Sequence, residues 1–138
     1  MTVKSICELI EEVAPLALQE SYDNAGLLVG NSQMEVTSVL VCIDITEEVL
    51  AEAIQKKCNL IISHHPLIFS GLKRLVGQND VQRCVIMAVK NDIAIYAAHT
   101  NLDNVLDGVN GKIADKIGLV NRRILQPRQD ALLKLVTY

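Results

Sequence analysis

Apolar positions fall into short runs separated by polar turns, and their period changes along the chain. Ile6, Leu9, Ile10 and Val13 recur at i, i+3, i+4 and i+7, which predicts an amphipathic helix behind a Thr2 cap, ending before Pro15. Asp23-Asn24-Ala25-Gly26 then reads as a turn into a short strand, Leu27–Val29. Val39–Ile43 is continuously apolar, the pattern of a strand covered on both faces. Thr46 caps a helix with Glu47 and Glu48 in its first turn and Lys56 and Lys57 at its end, each pair suited to the helix dipole. Its buried face is Val49, Leu50, Ala53 and Ile54. Another strand, Leu60–Ile62, ends in Ser63-His64-His65-Pro66. A helix near Asp80–Lys90 buries Val81, Cys84, Val85, Ala88 and Val89 and stops at Asn91. The strand Ile93–Ala98 leads into His99-Thr100-Asn101-Leu102-Asp103. A last helix uses Val109, Ile113, Ala114 and Ile117 and is closed by Gly118, and Ala131–Tyr138 reads as a further strand.

Strands alternating with helices imply βαβ units, hence an α/β fold of three layers, α/β/α, around a mostly parallel sheet. At 138 residues the chain is one domain by length, large enough to bury a core without disulfides. That core must be aliphatic: half the residues are apolar, yet the aromatics are only Tyr22, Phe69, Tyr96 and Tyr138. Cys7, Cys42, Cys58 and Cys84 have no C-x-x-C spacing and each lies in or beside an apolar stretch, as buried reduced thiols do.

Charge narrows the partners. A net charge of −3 argues against a nucleic-acid binder that relies on a basic face. No apolar run reaches the ~18 residues of a membrane span, and the opening MTVKSICELIEE turns acidic too early for a secretory signal. A cytoplasmic protein that does not enter the membrane is expected.

Three polar clusters share one address in such a fold. Asp44 follows one parallel strand, His64 and His65 the next, and His99 through Asp103 the third. Open α/β sheets bind ligands outside the carboxyl ends of their strands, so these clusters should meet at one rim. Imidazole and carboxylate together suit zinc, iron, manganese or nickel. Adjacent histidines in an extended segment point to opposite sides, which favours two neighbouring ions, one per ring. His64, His65 and Asp103 are the expected metal ligands. His99 is a ligand, an orienter of ligands or a cap of its loop. Asn101 is a supporting polar group or a turn former, and Asp44 a supporting carboxylate or part of a local turn. The glycines form neither G-x-G-x-x-G nor a phosphate-loop lysine motif.

The segments SYDNAGLLVG, VCIDIT, IISHHPLIF and AAHTNLDNVLDGVN, in this order, resemble the Nif-three-like family, whose members are called GTP cyclohydrolase I type 2 homologues or YbgI-like dinuclear metal proteins. The resemblance covers nearly the whole chain. It implies an α/β/α fold, a dinuclear metal site with His64, His65 and Asp103 among its ligands, and a toroidal homo-oligomer, typically a hexamer. It also implies a further His and Glu one helical turn apart near the end of a longer chain. This sequence has no histidine after His99 and no glutamate after Glu52, so residues 1–138 are expected to be the N-terminal part of a longer, two-part metal-binding protein.

The resulting expectation is a dinuclear metal-dependent hydrolase that uses a metal-activated water on a small-molecule substrate, a nucleotide or other phosphate compound. The alternatives are a non-catalytic metal-binding or regulatory protein, and a structural module in which the histidines are incidental.

Overall fold

A computed structural model describes residues 1–127; the strand expected at Ala131–Tyr138 lies outside them. Thr2 caps helix α1 (Val3–Val13), accepting a hydrogen bond from the Ser5 amide, and Pro15 opens a single 3-10 turn, Leu16–Leu18. Strand β1 (Gly26–Val29) follows, then β2 (Val39–Cys42), helix α2 (Glu47–Gln55) and β3 (Leu60–Ser63). Helix α3 (Asp80–Lys90), β4 (Ala94–Ala97), a one-turn helix α4 (Thr100–Asp103) and α5 (Val109–Lys116) complete the order. Thr46 and Asn79 cap α2 and α3 through their side chains.

The sheet runs β1-β4-β3-β2. β2, β3 and β4 are parallel, joined through crossover helices, while β1 lies antiparallel to β4 with a bulge between Leu27 and Val29. Alternation along β3 and β4 sorts side chains into two cores. Ile61 and Ile95 join Leu50, Ala53, Cys84, Val85 and Ala88 under α2 and α3. Leu60, Ala94 and Tyr96 turn the other way, onto Val3 and Cys7 of α1. The result is the three-layer α/β/α arrangement with a mixed, mostly parallel sheet. Among the described residues, no helix is long and apolar enough to cross a membrane.

Several sequence expectations need correction. β2 is an edge strand: Val41 is 75% and Ile43 64% exposed, because α1 covers β3 and β4 but does not reach β2. The buried face of α1 is Val3, Ile6, Cys7 and Ile10, whereas Leu9 and Val13 face solvent. Ile54, Val89, Ile113 and Ile117 are likewise exposed. Helix α2 stops at Gln55, so Lys56 is its cap and Lys57 lies beyond it. All four cysteines are free; Cys42 is only half-buried, and burial pushes the Cys7 thiol up to about 11.

One glycine is required by close packing. Gly30 sits at φ +106°, and an added Cβ would lie 2.7 Å from both Cα and Cβ of Ala94. Gly30→Ala combines a disfavoured backbone conformation with overpacking against β4, and is expected to cost about 2–4 kcal/mol. Urea denaturation checks this, and an unchanged midpoint would contradict the packing at this corner.

Candidate metal centre

The parallel strands β2, β3 and β4 end at the same rim, so the residues just after them meet there. The backbone bends at His64 and His65, immediately after β3. The His64 amide still bonds to the Cys42 carbonyl (3.1 Å) and the His65 amide to the Ile43 carbonyl (2.9 Å), which keeps the bend pinned to β2. Ser63, buried beneath it, donates its hydroxyl to the His65 carbonyl at 2.8 Å. This bend removes the alternation of an extended segment. The two rings do not diverge: their centroids are 5.0 Å apart, and His99 joins them at 5.3 Å from His64 and 5.6 Å from His65.

A ring nitrogen from each of His64, His65 and His99 lies within 4.8 Å of the other two. In all three the Nδ1 atom is already committed. His64 Nδ1 donates to the Ala98 carbonyl at 2.9 Å, His65 Nδ1 to Asp44 Oδ1 at 2.7 Å, and His99 Nδ1 to Asp23 Oδ1 at 2.8 Å. A carbonyl or a carboxylate oxygen can only accept, so each neutral ring carries its proton on Nδ1 and leaves the Nε2 lone pair free. Histidines that bind metals are oriented in this way. The donor set therefore suits a transition-metal ion, and the cluster could hold one.

Asp103 stands nearby through helix α4, whose single turn places it one turn after His99: the Asp103 amide bonds to the His99 carbonyl at 3.1 Å. Its Oδ1 is 3.9 Å from His64 Nε2. Asp103 also lines a groove of about 1100 Å³ shared with Glu20, Asn104, Asn110 and Arg123. Asn101 is buried and works on the backbone: its Oδ1 accepts from the His99 amide at 2.9 Å and its Nδ2 donates to the Ala14 carbonyl at 2.7 Å. Asp44 is largely exposed and holds His65.

Sequence reasoning missed Asp23, which it read as part of a turn. Its side chain is fully enclosed. It accepts hydrogen bonds from His99 Nδ1, from the Thr100 amide (3.0 Å) and hydroxyl, and from the Asn24 amide (2.7 Å). Burial alone would raise this carboxyl, but the bonds from His99, Thr100 and Asn24 outweigh it and hold it below the ordinary carboxylate value. Asp23 reaches the rim because β1 is antiparallel, so its first residue, Gly26, pairs with Ala97 at the end of β4.

The same architecture occurs in solved proteins. A crystal structure of Staphylococcus aureus protein SA1388 superposes with a TM-score of 0.86 at 41% identity, over 93% of this chain and 41% of that one. A GTP cyclohydrolase 1 type 2 homolog of Clostridium acetobutylicum is 37% identical over 132 residues, 96% of this chain and 49% of the relative. Another, from Staphylococcus aureus, is 42% identical over 138 residues, all of this chain and 37% of the relative. The chain thus spans half or less of the length of these relatives. Its residues 1–138 match the profile of one family throughout. The chain belongs to the Duf34/NIF3 (NGG1p interacting factor 3) family.

Proposed function

We propose that this chain carries the histidine-rich part of a metal-dependent hydrolase that acts on a nucleotide or other phosphate compound. The observation that carries this reading is the shared orientation of His64, His65 and His99, each with Nδ1 donating to a fixed oxygen and Nε2 left to coordinate. His64, His65 and Asp103 are the proposed ligands, with His99 as a further donor. The three ring nitrogens lie within 4.8 Å of one another and Asp103 Oδ1 lies 3.9 Å from His64 Nε2, so four donors gather at one place. Two divalent ions, drawn from zinc, iron, manganese or nickel, are proposed to share these donors. When bound, such ions lower the pKa of a coordinated water and polarise the bond it attacks. The protein's own part is to hold the ring orientations: Asp44 holds His65, Asp23 holds His99, and Asn101 anchors the His99 backbone.

The nucleotide substrate is supported by the name carried by the relatives, GTP cyclohydrolase 1 type 2 homolog. A non-catalytic reading, metal handling or regulation through a protein partner, is favoured by the family description as an interacting factor. A turnover screen separates the two. Metal-loaded protein should release product from a nucleotide panel, with the rate abolished by a chelator and restored by the ion. Full metal occupancy with no turnover on any member would favour the non-catalytic role.

A homo-oligomer, a toroidal hexamer, completes the proposal. The exposed apolar residues Val39 and Val41 of edge strand β2, with Ile43 just after it, support an assembly that covers them, because bare apolar edges invite pairing. Light scattering should give a discrete mass near six subunits, and a monomer at working concentration would reject it.

A further inference from the structure

Of the four aromatic side chains, Tyr96 is buried in the core and Tyr138 lies outside the described residues. The other two, Tyr22 and Phe69, stand together at the edge of the histidine cluster. Tyr22 is 65% and Phe69 50% exposed, their centroids are 6.4 Å apart at a 44° tilt, and Phe69 lies 6.5 Å from His99, edge to face. Neither ring belongs to either of the two cores that flank the sheet. Nor are they on loose loops. Asn24 Nδ2 donates to the Ile68 carbonyl at 2.5 Å, tying the segment that bears Tyr22 to the one that bears Phe69. Asp23, between Tyr22 and Asn24, holds His99. Hydrogen bonds of the adjacent residues Asp23 and Asn24 therefore tie the aromatic pair to the histidine cluster.

We propose that Tyr22 and Phe69 form an aromatic lip that seats a planar heteroaromatic ring of the substrate, with the ring's edge towards His64, His65 and His99. Size supports a ring over a macromolecule. Aromatic side chains offer roughly 150–250 Å² each, so two half-exposed ones leave a patch of order 200 Å², far below the ~800 Å² per partner of a stable protein interface. The face of either ring suits one base, the other ring closing on its edge, and stacking on aromatic side chains accepts any base because each has a π-face. This assignment deepens the hydrolase reading and rests on it for its role, although binding can be measured independently.

The test is calorimetric titration of the metal-loaded protein with guanosine, adenosine and uridine, using ribose as the ring-free probe. At least one nucleoside should bind far more tightly than ribose. Tyr22→Ala and Phe69→Ala should each weaken that binding roughly 5- to 150-fold, the range for loss of one stacking partner, with metal content unchanged by elemental analysis. Phe69→Leu, which keeps apolar bulk without a ring, should lose affinity as Phe69→Ala does, and Phe69→Tyr should retain it. Nucleosides that bind no better than ribose, or full affinity in both Tyr22→Ala and Phe69→Leu, would overturn the lip. The two readings fail separately: protein that holds metal but ignores nucleosides loses only the lip. Protein that binds nucleosides through these two rings but holds no metal loses only the hydrolase.

Discussion

His64→Ala and His65→Ala are each expected to weaken metal binding at least about 100-fold while leaving the fold intact. Loss of a group that merely orients a ligand costs 10–100-fold in affinity, so removal of a ligand itself should cost no less. The fold should survive because neither ring belongs to the core. His65 is half-exposed and Asp44, the hydrogen-bond partner of its ring, is exposed as well. His64 contributes a single ring hydrogen bond, to the Ala98 carbonyl, and the strand beneath it is held by backbone bonds to both neighbours. Replacements at such positions usually change stability by less than about 1 kcal/mol. Elemental analysis after dialysis, beside a thermal melt, reads both quantities. Wild-type stoichiometry in both variants would remove these residues from the ligand set.

The rim was legible in the sequence because it needed only topology. Three strands, each followed by a polar cluster, had to be parallel if helices connected them, and parallel strands end together. That placed Asp44, His64, His65, His99 and Asp103 in one neighbourhood without any side-chain coordinates. Strand β1 resisted the same logic. Its polar residues precede it, and only an antiparallel orientation brings the start of a strand to the rim where the others end. Nothing in GLLV states its direction, so Asp23 read as a turn former. The one available signal was the polar stretch from Gln19 to Asn24, broken only by Tyr22, and it carries no direction either.

Periodicity also misplaced surfaces that lack a covering layer. Val39–Cys42 is as apolar as an interior strand, and only the sheet order shows that β2 is an edge. In α1 two apolar stripes compete, and contact with Leu60, Ala94 and Tyr96 selects the one through Val3 and Cys7 over the one through Leu9 and Val13. The pair His64–His65 failed for a local reason. The alternation rule needs extended backbone, and the Ser63 hydroxyl bonded to the His65 carbonyl belongs to a bend.

Asp23 is where stability and metal binding should separate most clearly. Asp23→Ala leaves His99 Nδ1, the Thr100 amide and hydroxyl and the Asn24 amide without their acceptor in an enclosed site. Hydrogen bonds to a charged group contribute about 1.5–3 kcal/mol, and buried donors left unpaired add their desolvation cost, so a loss of about 3–4 kcal/mol is expected. Asp23→Asn is more selective, because it keeps the shape but replaces one acceptor oxygen with a donor. If that donor faces His99, the ring must move its proton to Nε2 to accept it, and the lone pair available to a metal disappears. Metal affinity should then fall about 10–100-fold with a smaller loss of stability. Thr100→Val supplies the contrast: it removes one bond to Asp23 while leaving the His99 bond in place, so it should lower the melting temperature without changing metal affinity. If Asp23→Asn and Thr100→Val instead give the same metal affinity as wild type, Asp23 acts only as a buried knot of the fold, and His99 owes its orientation to something else.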